Sequence, residues 1–299
     1  MKQRNVSGIA GAGASTVSRR TLLQGMGAAA SLPFVSALSH AQSSAAGASQ
    51  ASTAADPAKS QLPLRSTGLE HMGTVVPDVT AAARFHGRLF NPEVHKEKDP
   101  PLRYYVTLGV GYLAFGSRAN ETRAFFDHFC ALVQDYDGRA MAQELQTQGL
   151  PAGRYGIIPD PDGVGLQLLA TPGGLAKSTE PAGRIVEEDA LVRPKGLSQV
   201  VLRVASVERS LQFYRKFFGN ESRAGAQTVF QVADTRLVLE PAAPGESARI
   251  ERICVNVEPF DRAVVERELT KLGASLAAGS GKTLRFRDPM GLGFELIQV

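Results

Sequence analysis

The chain has 299 residues, 43% of them apolar and 21% charged, the make-up of a folded protein with a sizeable core and room for two domains of ordinary size. Its net charge of +4 comes from Lys2, Arg4, Arg19 and Arg20 in a leading segment without acids. The remainder is balanced and shows no basic stripe that would suit nucleic acid, and two cysteines, Cys130 and Cys254, are too few for a disulfide framework.

In chain order, Ser18-Arg19-Arg20-Thr21-Leu22-Leu23 resembles the twin-arginine export motif. A modest apolar run from Met26 to Leu38 follows, and Ser39-His40-Ala41 offers a small-residue cleavage site. Residues 1–41 are therefore expected to be a signal peptide, read by the twin-arginine export machinery and leading to a periplasmic or secreted protein. The apolar run is too short to span a bilayer and is broken by Pro33. No other long apolar run exists, so no membrane association is expected once the signal is removed. Residues 42–66, rich in Ala, Ser, Gln and Thr, read as a disordered tether.

The patterned sequence begins with a strand over Leu69–Val76. A helix over Val79–Phe90 puts Val79, Ala82, Phe85 and Leu89 on one face. Short strands follow at Tyr104–Leu108 and Tyr112–Phe115, turning at Gly109 and Gly111. A strand over Phe125–Val133 leads to a helix over Gly138–Gln148, stopped by Gly149, and a last strand covers Gly165–Ala170. Residues 171–195, with Pro172-Gly173-Gly174, Pro181 and the acidic Glu187-Glu188-Asp189, read as a linker. The pattern then recurs with strand Leu197–Val204, helix Val207–Phe218, strand Ile250–Val257 and helix Asp261–Leu272. Asp261 is a candidate N-cap and Gly273 a candidate stop.

The two flanks of the linker repeat each other in sequence. Gly68-Leu69-Glu70-His71-Met72 matches Gly196-Leu197-Ser198-Gln199-Val200, and Arg84-Phe85-His86 matches Gln212-Phe213-Tyr214, both 128 positions apart. Asp127-His128-Phe129-Cys130 matches Glu251-Arg252-Ile253-Cys254 at 124, and Asp160-Pro161-Asp162-Gly163 matches Asp288-Pro289-Met290-Gly291 again at 128. A repeat this long is a duplicated domain, here residues 67–170 and 196–299.

The Leu69-Glu70-His71-Met72-Gly73 start, the Val76-Pro77-Asp78-Val79 turn into a helix, the Phe213-Tyr214 and Phe218-Gly219 helix end and the two closing Asp-Pro-x-Gly turns together resemble the vicinal oxygen chelate superfamily. That superfamily includes glyoxalases, bleomycin-resistance proteins and extradiol dioxygenases. The resemblance implies an α+β fold of two tandem domains, each of paired βαβββ units forming a half-open barrel around a ligand cup. It also implies a divalent-metal site, Fe(II), Mn(II) or Zn(II), on inward residues of three strands, which by position are His71, His128 and Gln167. The dioxygenase-type members use two His and a Glu, so Gln167 departs from the pattern: an amide oxygen can coordinate but carries no charge. In the second domain the matching positions are Gln199, Arg252 and Glu295. A guanidinium cannot ligate a metal, so this half is expected to be metal-free, with Arg252 and Glu295 paired.

The expected function is an exported, divalent-metal-dependent enzyme of dioxygenase or lyase type, acting on a small molecule with aromatic compounds among the candidates. The alternative is a metal-free small-molecule-binding protein comparable to the drug-sequestering members, in which the histidines bond to Gln167, water or an organic ligand. A homodimer is compatible with either. Cys130, two residues beyond His128, shares its face and reads as a packed thiol. His86 reads as structural and His95 as exposed, while Tyr105, Tyr112, Arg154 and Tyr155 are candidate cup-wall residues. Gly279-Ser280-Gly281-Lys282-Thr283 looks like a phosphate loop, but Leu276 stands where the first glycine is needed and a strand follows. Gly11-Ala12-Gly13 has no strand before it.

Overall fold

The computed structural model describes residues 60–150, 152–153, 156–225, 227–277, 279 and 281–299. The expected signal peptide, Arg154 and Tyr155 lie outside the described residues. The first copy runs β1 (Ser66–Val75), α1 (Val79–Leu89), β2 (Glu93–Glu97), β3 (Tyr104–Thr107), β4 (Tyr112–Gly116), β5 (Phe125–Val133), α2 (Gly138–Thr147), β6 (Ile157–Pro159), β7 (Gly165–Ala170) and β8 (Thr179–Arg184). The second runs β9 (Pro194–Val204), α3 (Val207–Phe218), β10 (Ser222–Ala224), β11 (Gln227–Val232), β12 (Thr235–Pro241), β13 (Arg249–Val257), α4 (Arg262–Lys271), β14 (Ser275–Ala277), β15 (Thr283–Arg287) and β16 (Gly293–Gln298). In chain order each copy is two βαβββ units, and the fold is α+β.

The helices begin where short polar side chains can satisfy the free N–H groups of a first turn. Asp78 accepts from Ala81 N, Asp137 from Arg139 N and Ala140 N, Ser206 from Arg209 N, and Asp261 from Val264 N. Each such cap is worth about 1 kcal/mol. The apolar stripe of α1 is buried at Val79, Ala82, Phe85 and Leu89, and that of α3 at Leu211, Phe213, Tyr214 and Phe217. Burying each Phe or Leu contributes about 1.5–3 kcal/mol.

The second copy forms a sheet of order β10-β11-β12-β9-β13-β16-β15-β14, so its two units meet at the β9–β13 pair. The first copy meets likewise at β1–β5, but its order is β6-β7-β5-β1-β4-β3-β2-β8. The last strand of its second unit thus sits at the far edge, antiparallel to β2, with His95 opposite Pro181 and Lys96 opposite Glu180. The stretch read as a linker from its Pro, Gly and charge therefore contains a strand. β2 otherwise presents an open row of backbone donors and acceptors, and β8 covers it with a polar strand of the kind that suits an edge. The stretch read as a tether is also attached at its end: Gln61 N donates to Glu144 Oε2 at 2.9 Å and Leu64 N to Phe217 O at 2.7 Å.

One hydrophobic core runs through both copies and includes Phe85, Phe115, Phe129, Tyr214, Phe286 and Phe294. The helices pack reciprocally within it. Phe85 and His86 of α1 meet Phe286 and Phe294 of the second sheet, and Tyr214 of α3 meets Phe129 of the first. His86 Nε2 lies 3.1 Å from Asp288 Oδ2, and Tyr214 Oη donates to Asp160 Oδ2 at 2.8 Å. Each carboxylate belongs to the closing Asp-Pro-x-Gly turn of the other copy, where its second oxygen accepts two backbone N–H groups. His86 is structural, as expected, and serves as the counterpart of Tyr214. Among the described residues no helix is long and apolar enough to cross a membrane.

Candidate metal centre

Phe115 of β4 stacks on His86 of α1 at 4.9 Å, so Leu113 and Phe115 face the helix and Tyr112 faces away from it. His71 lies directly across from Tyr112 in the β1–β4 ladder, and the two rings stack at 4.5 Å with 11° between planes. On the other side of β1, β5 brings His128 to Gly73, and β7 places Gly165 opposite His128 and Gln167 opposite Cys130. The three side chains expected to converge do so. His71 Nε2 is 3.0 Å from Gln167 Oε1, and the His71 and His128 ring centroids are 5.6 Å apart, edge to face.

The strand ladder is irregular at this site. Between the pairs Leu69–Ala131 and Met72–Phe129, β1 has two residues, Glu70 and His71, where β5 has only Cys130. Between Gly73–His128 and Thr74–Phe126, Asp127 is the extra residue on β5. A bulge breaks strict alternation and re-aims side chains, so each histidine keeps the acid that precedes it on its own side. His71 Nδ1 bonds Glu70 Oε2 at 2.9 Å, and His128 Nδ1 bonds Asp127 Oδ2 at 3.0 Å. Glu70 and His71 are buried, while His128 and Asp127 are partly so.

Both acids are themselves held. Gly174 N donates to Glu70 Oε1, and Arg118 Nη2 donates to Asp127 Oδ1 at 2.8 Å. Gly173, at φ +75°, brings the backbone so close that a Cβ there would lie 2.0 Å from Glu70 Oε1. At Gly73 a Cβ would lie 1.9 Å from His128 Cε1, so the absent side chain is the space the imidazole occupies. Sequence reasoning gives Glu70 and Asp127 no role and reads Gly173 as a linker residue. The acid-His dipeptide recurring within two paired strands is the signal that could have found these groups.

Burial holds the His71 imidazole below its ordinary value of 6.5, with His128 adding to that effect and the Glu70 bond opposing it. Burial thus favours the neutral ring, whose Nδ1 bonds Glu70 and whose Nε2 bonds Gln167. Asp127 is held below the usual carboxylate range, first by its bond to His128. Burial pushes the Cys130 thiol well up, and Glu70 adds to it. Burial likewise raises Tyr112, and raises Tyr105, which donates to Glu97, to about 12. Tyr105 packs edge-on to Tyr112 at 5.8 Å, so the two form a wall beside His71, as expected of them. His95, expected to be exposed, is only partly so: β8 covers its strand, and its Nδ1 is buried without a partner among the described residues.

Glu70, His71 and Cys130 also bring ligand-type atoms within 4.8 Å of one another. Both Glu70 oxygens are already engaged, and the thiol is held protonated. The atoms that would face an ion are Nε2 of His71 and Oε1 of Gln167, which here bond each other, and Nε2 of His128. Two donors about 2.1 Å from one ion and at right angles to each other sit about 3.0 Å apart, matching the His71–Gln167 separation. Two imidazoles on one ion have centroids within about 6.5 Å, which the His71–His128 pair satisfies. The residues fit a divalent metal. Two surface cavities, of about 400 and 480 Å³, lie elsewhere, against Val192 and Phe260 and against Pro63 and Val133.

No protein-family model matches the sequence, and no curated protein sequence matches it. Solved structures do match over both copies. A catechol 2,3-dioxygenase aligns with a TM-score of 0.57 at 17% identity, covering 78% of this chain and 88% of its own. A Mn(II)-bound glyoxalase from Novosphingobium aromaticivorans aligns with 0.57 at 14%, covering 79% and 83%. A 4-hydroxymandelate synthase variant from Streptomyces coelicolor aligns with 0.56 at 12%, covering 78% and 92%. The chain has the vicinal oxygen chelate fold.

Within this fold the second sheet keeps the backbone of the first and fills it differently. Its β9–β13 ladder has extra residues at Ser198 and Glu251, the counterparts of Glu70 and Asp127. Arg252, in the place of His128, bonds Glu295 Oε2 at 3.3 Å and Glu240 Oε1 at 3.1 Å, and Arg285 pairs with the same Glu295 at 3.0 Å. The expected Arg252–Glu295 pair is present, with Glu240 as a partner that sequence reasoning missed. These carboxylates are neutralised by guanidinium groups, an arrangement that leaves no lone pairs of nitrogen for a cation. Val201 takes the place of Gly73 and packs in the core. Cys130 and Cys254 are both free.

Proposed function

We propose that this protein is a divalent-metal-dependent enzyme of dioxygenase or lyase type, acting on a small molecule with two neighbouring oxygens. His71, His128 and Gln167 are its protein ligands. The observation that carries this reading is the convergence of three ligand-type side chains, with His71 Nε2 3.0 Å from Gln167 Oε1 and the His71 and His128 ring centroids 5.6 Å apart. Support comes also from fold neighbours that include catechol 2,3-dioxygenases and a Mn(II)-bound glyoxalase.

A bound divalent ion would polarise the substrate's oxygens as a Lewis acid. The neutral Gln167 favours that use over a redox cycle, because a neutral donor stabilises the lower oxidation state. The chain's own part is to hold the donors rigidly. Glu70 and Asp127 fix the imidazole planes, Gly73 gives His128 its place, and Tyr112 stacks on His71. The same proposal places the protein outside the cytoplasm after twin-arginine export.

The test is elemental analysis of protein purified without added metal. One divalent ion per chain, lost in His71→Ala with the fold intact, is the expected result. Substoichiometric metal that His71→Ala leaves unchanged removes the reading and favours a metal-free binding protein. For export, Arg19→Lys with Arg20→Lys is expected to retain the protein in the cytoplasm on cell fractionation.

A further inference from the structure

A divalent ion on two imidazoles and an amide meets no negative ligand, yet two carboxylates stand immediately behind the imidazoles. We propose that Glu70 and Asp127 are positioning residues that take over the role of the absent carboxylate ligand: they fix both histidines with the proton on Nδ1 and supply, through the rings, the negative charge that Gln167 lacks. The inference rests on the reading of the site as a metal centre.

Four observations carry it. Each acid immediately precedes its histidine, and each pair lies at its own bulge, which keeps neighbours in sequence on one side of the sheet. Each bonds Nδ1, at 2.9 and 3.0 Å, leaving Nε2 as the donor; a carboxylate there raises the basicity of the ring as a ligand. Each carboxylate is locked from behind, Glu70 by Gly174 N and Asp127 by Arg118. The second sheet supplies the contrast. At its matching bulges Ser198 Oγ donates to Cys254 O, and Glu251 turns to Arg249 and Arg287, while Arg252 is held by Glu240 and Glu295. An acid at the bulge therefore does not bond its successor by geometry alone: Glu251 turns to Arg249 and Arg287, whereas Glu70 and Asp127 bond the histidines that follow them.

The experiment measures Mn(II) affinity by competition with a chelator, for wild type, His71→Ala, Glu70→Gln, Asp127→Asn, Gln167→Glu and the Glu70→Gln/Gln167→Glu double variant. Each amide variant is expected to weaken binding about ten- to a hundredfold, and Gln167→Glu to tighten it. Gln167→Glu is expected to tighten binding by a larger factor in the Glu70→Gln background than in wild type, a non-additivity that a purely structural role for Glu70 does not give. Imidazole ¹⁵N spectra of metal-free protein are expected to lose the Nδ1–H form of His71 in Glu70→Gln and that of His128 in Asp127→Asn. Asp127, partly exposed, keeps the test available where Glu70→Gln fails to fold. Binding that His71→Ala abolishes but that both amide variants keep within twofold of wild type overturns the inference alone. No Mn(II) binding by wild type overturns the metal reading and this inference together.

Discussion

His86 Nε2 meets Asp288 Oδ2 at 3.1 Å with neither side chain exposed, so a helix of the first copy is fastened to the closing turn of the second. Tyr214 and Asp160 make the reverse connection. Tyr214→Phe removes one donor and leaves a buried carboxylate oxygen unsatisfied, which is expected to cost about 1–3 kcal/mol. Asp288→Ala, which also strips the turn of its acceptor for Met290 N and Leu292 N, is expected to cost more. Urea unfolding measures both, and a single transition detected by fluorescence and circular dichroism alike is expected because one core serves both copies.

Gly73→Ala puts a methyl group where the His128 ring lies. The ring is expected to move away, and metal uptake to fall at least tenfold, the scale on which misplaced ligands lose affinity. A Gly73→Ala protein that keeps wild-type metal content shows that His128 is not a ligand.

The depressed value of His71 has a signed consequence for stability. Its folded-state value lies below 6.5, so between the two values the unfolded chain binds more protons. Stability therefore falls as pH drops below about 6.5, at up to about 1.4 kcal/mol per pH unit, and the group contributes no slope above that. Urea midpoints from pH 7.5 to 5 for metal-free wild type and His71→Gln isolate the effect. The variant is expected to lose less stability on acidification, and parallel curves assign the acid sensitivity to other groups.

Arg252→Ala leaves Glu240 and Glu295 with Arg203 and Arg285 as remaining partners. The expected destabilisation is about 1–3 kcal/mol, below the figure for a fully orphaned buried charge. Metal content is expected to stay at the wild-type level, since the two sheets hold separate chemistry. A drop in metal content on this substitution contradicts that separation.

The duplication and all four helices could be read from the chain, because helical periodicity and caps are local signals. The helix over Val207–Phe218 and the Asp261 cap fall where the pattern placed them. The convergence of His71, His128 and Gln167 is implied by the resemblance to the vicinal oxygen chelate superfamily, which names the strands whose inward residues meet. Three features were hidden for specific reasons. Strict alternation sets Glu70 opposite His71, and a bulge cannot be read from a two-residue period. β8 has the composition of a loop and is a strand only because β2 offers an edge. His95 is covered by that same strand, so its burial depends on a contact far along the chain.

The irregular backbone that orients the histidines is duplicated in a half that has no histidines. Ser198–Gln199 and Glu251–Arg252 occupy the same bends, with a salt-linked arginine where the other copy has an imidazole. The molecule thus carries its own reference state: a seat of matching shape, already plugged, a few strands away from the open one. Any metal signal assigned to the histidine-bearing half can be judged against its arginine-filled twin within the same sample.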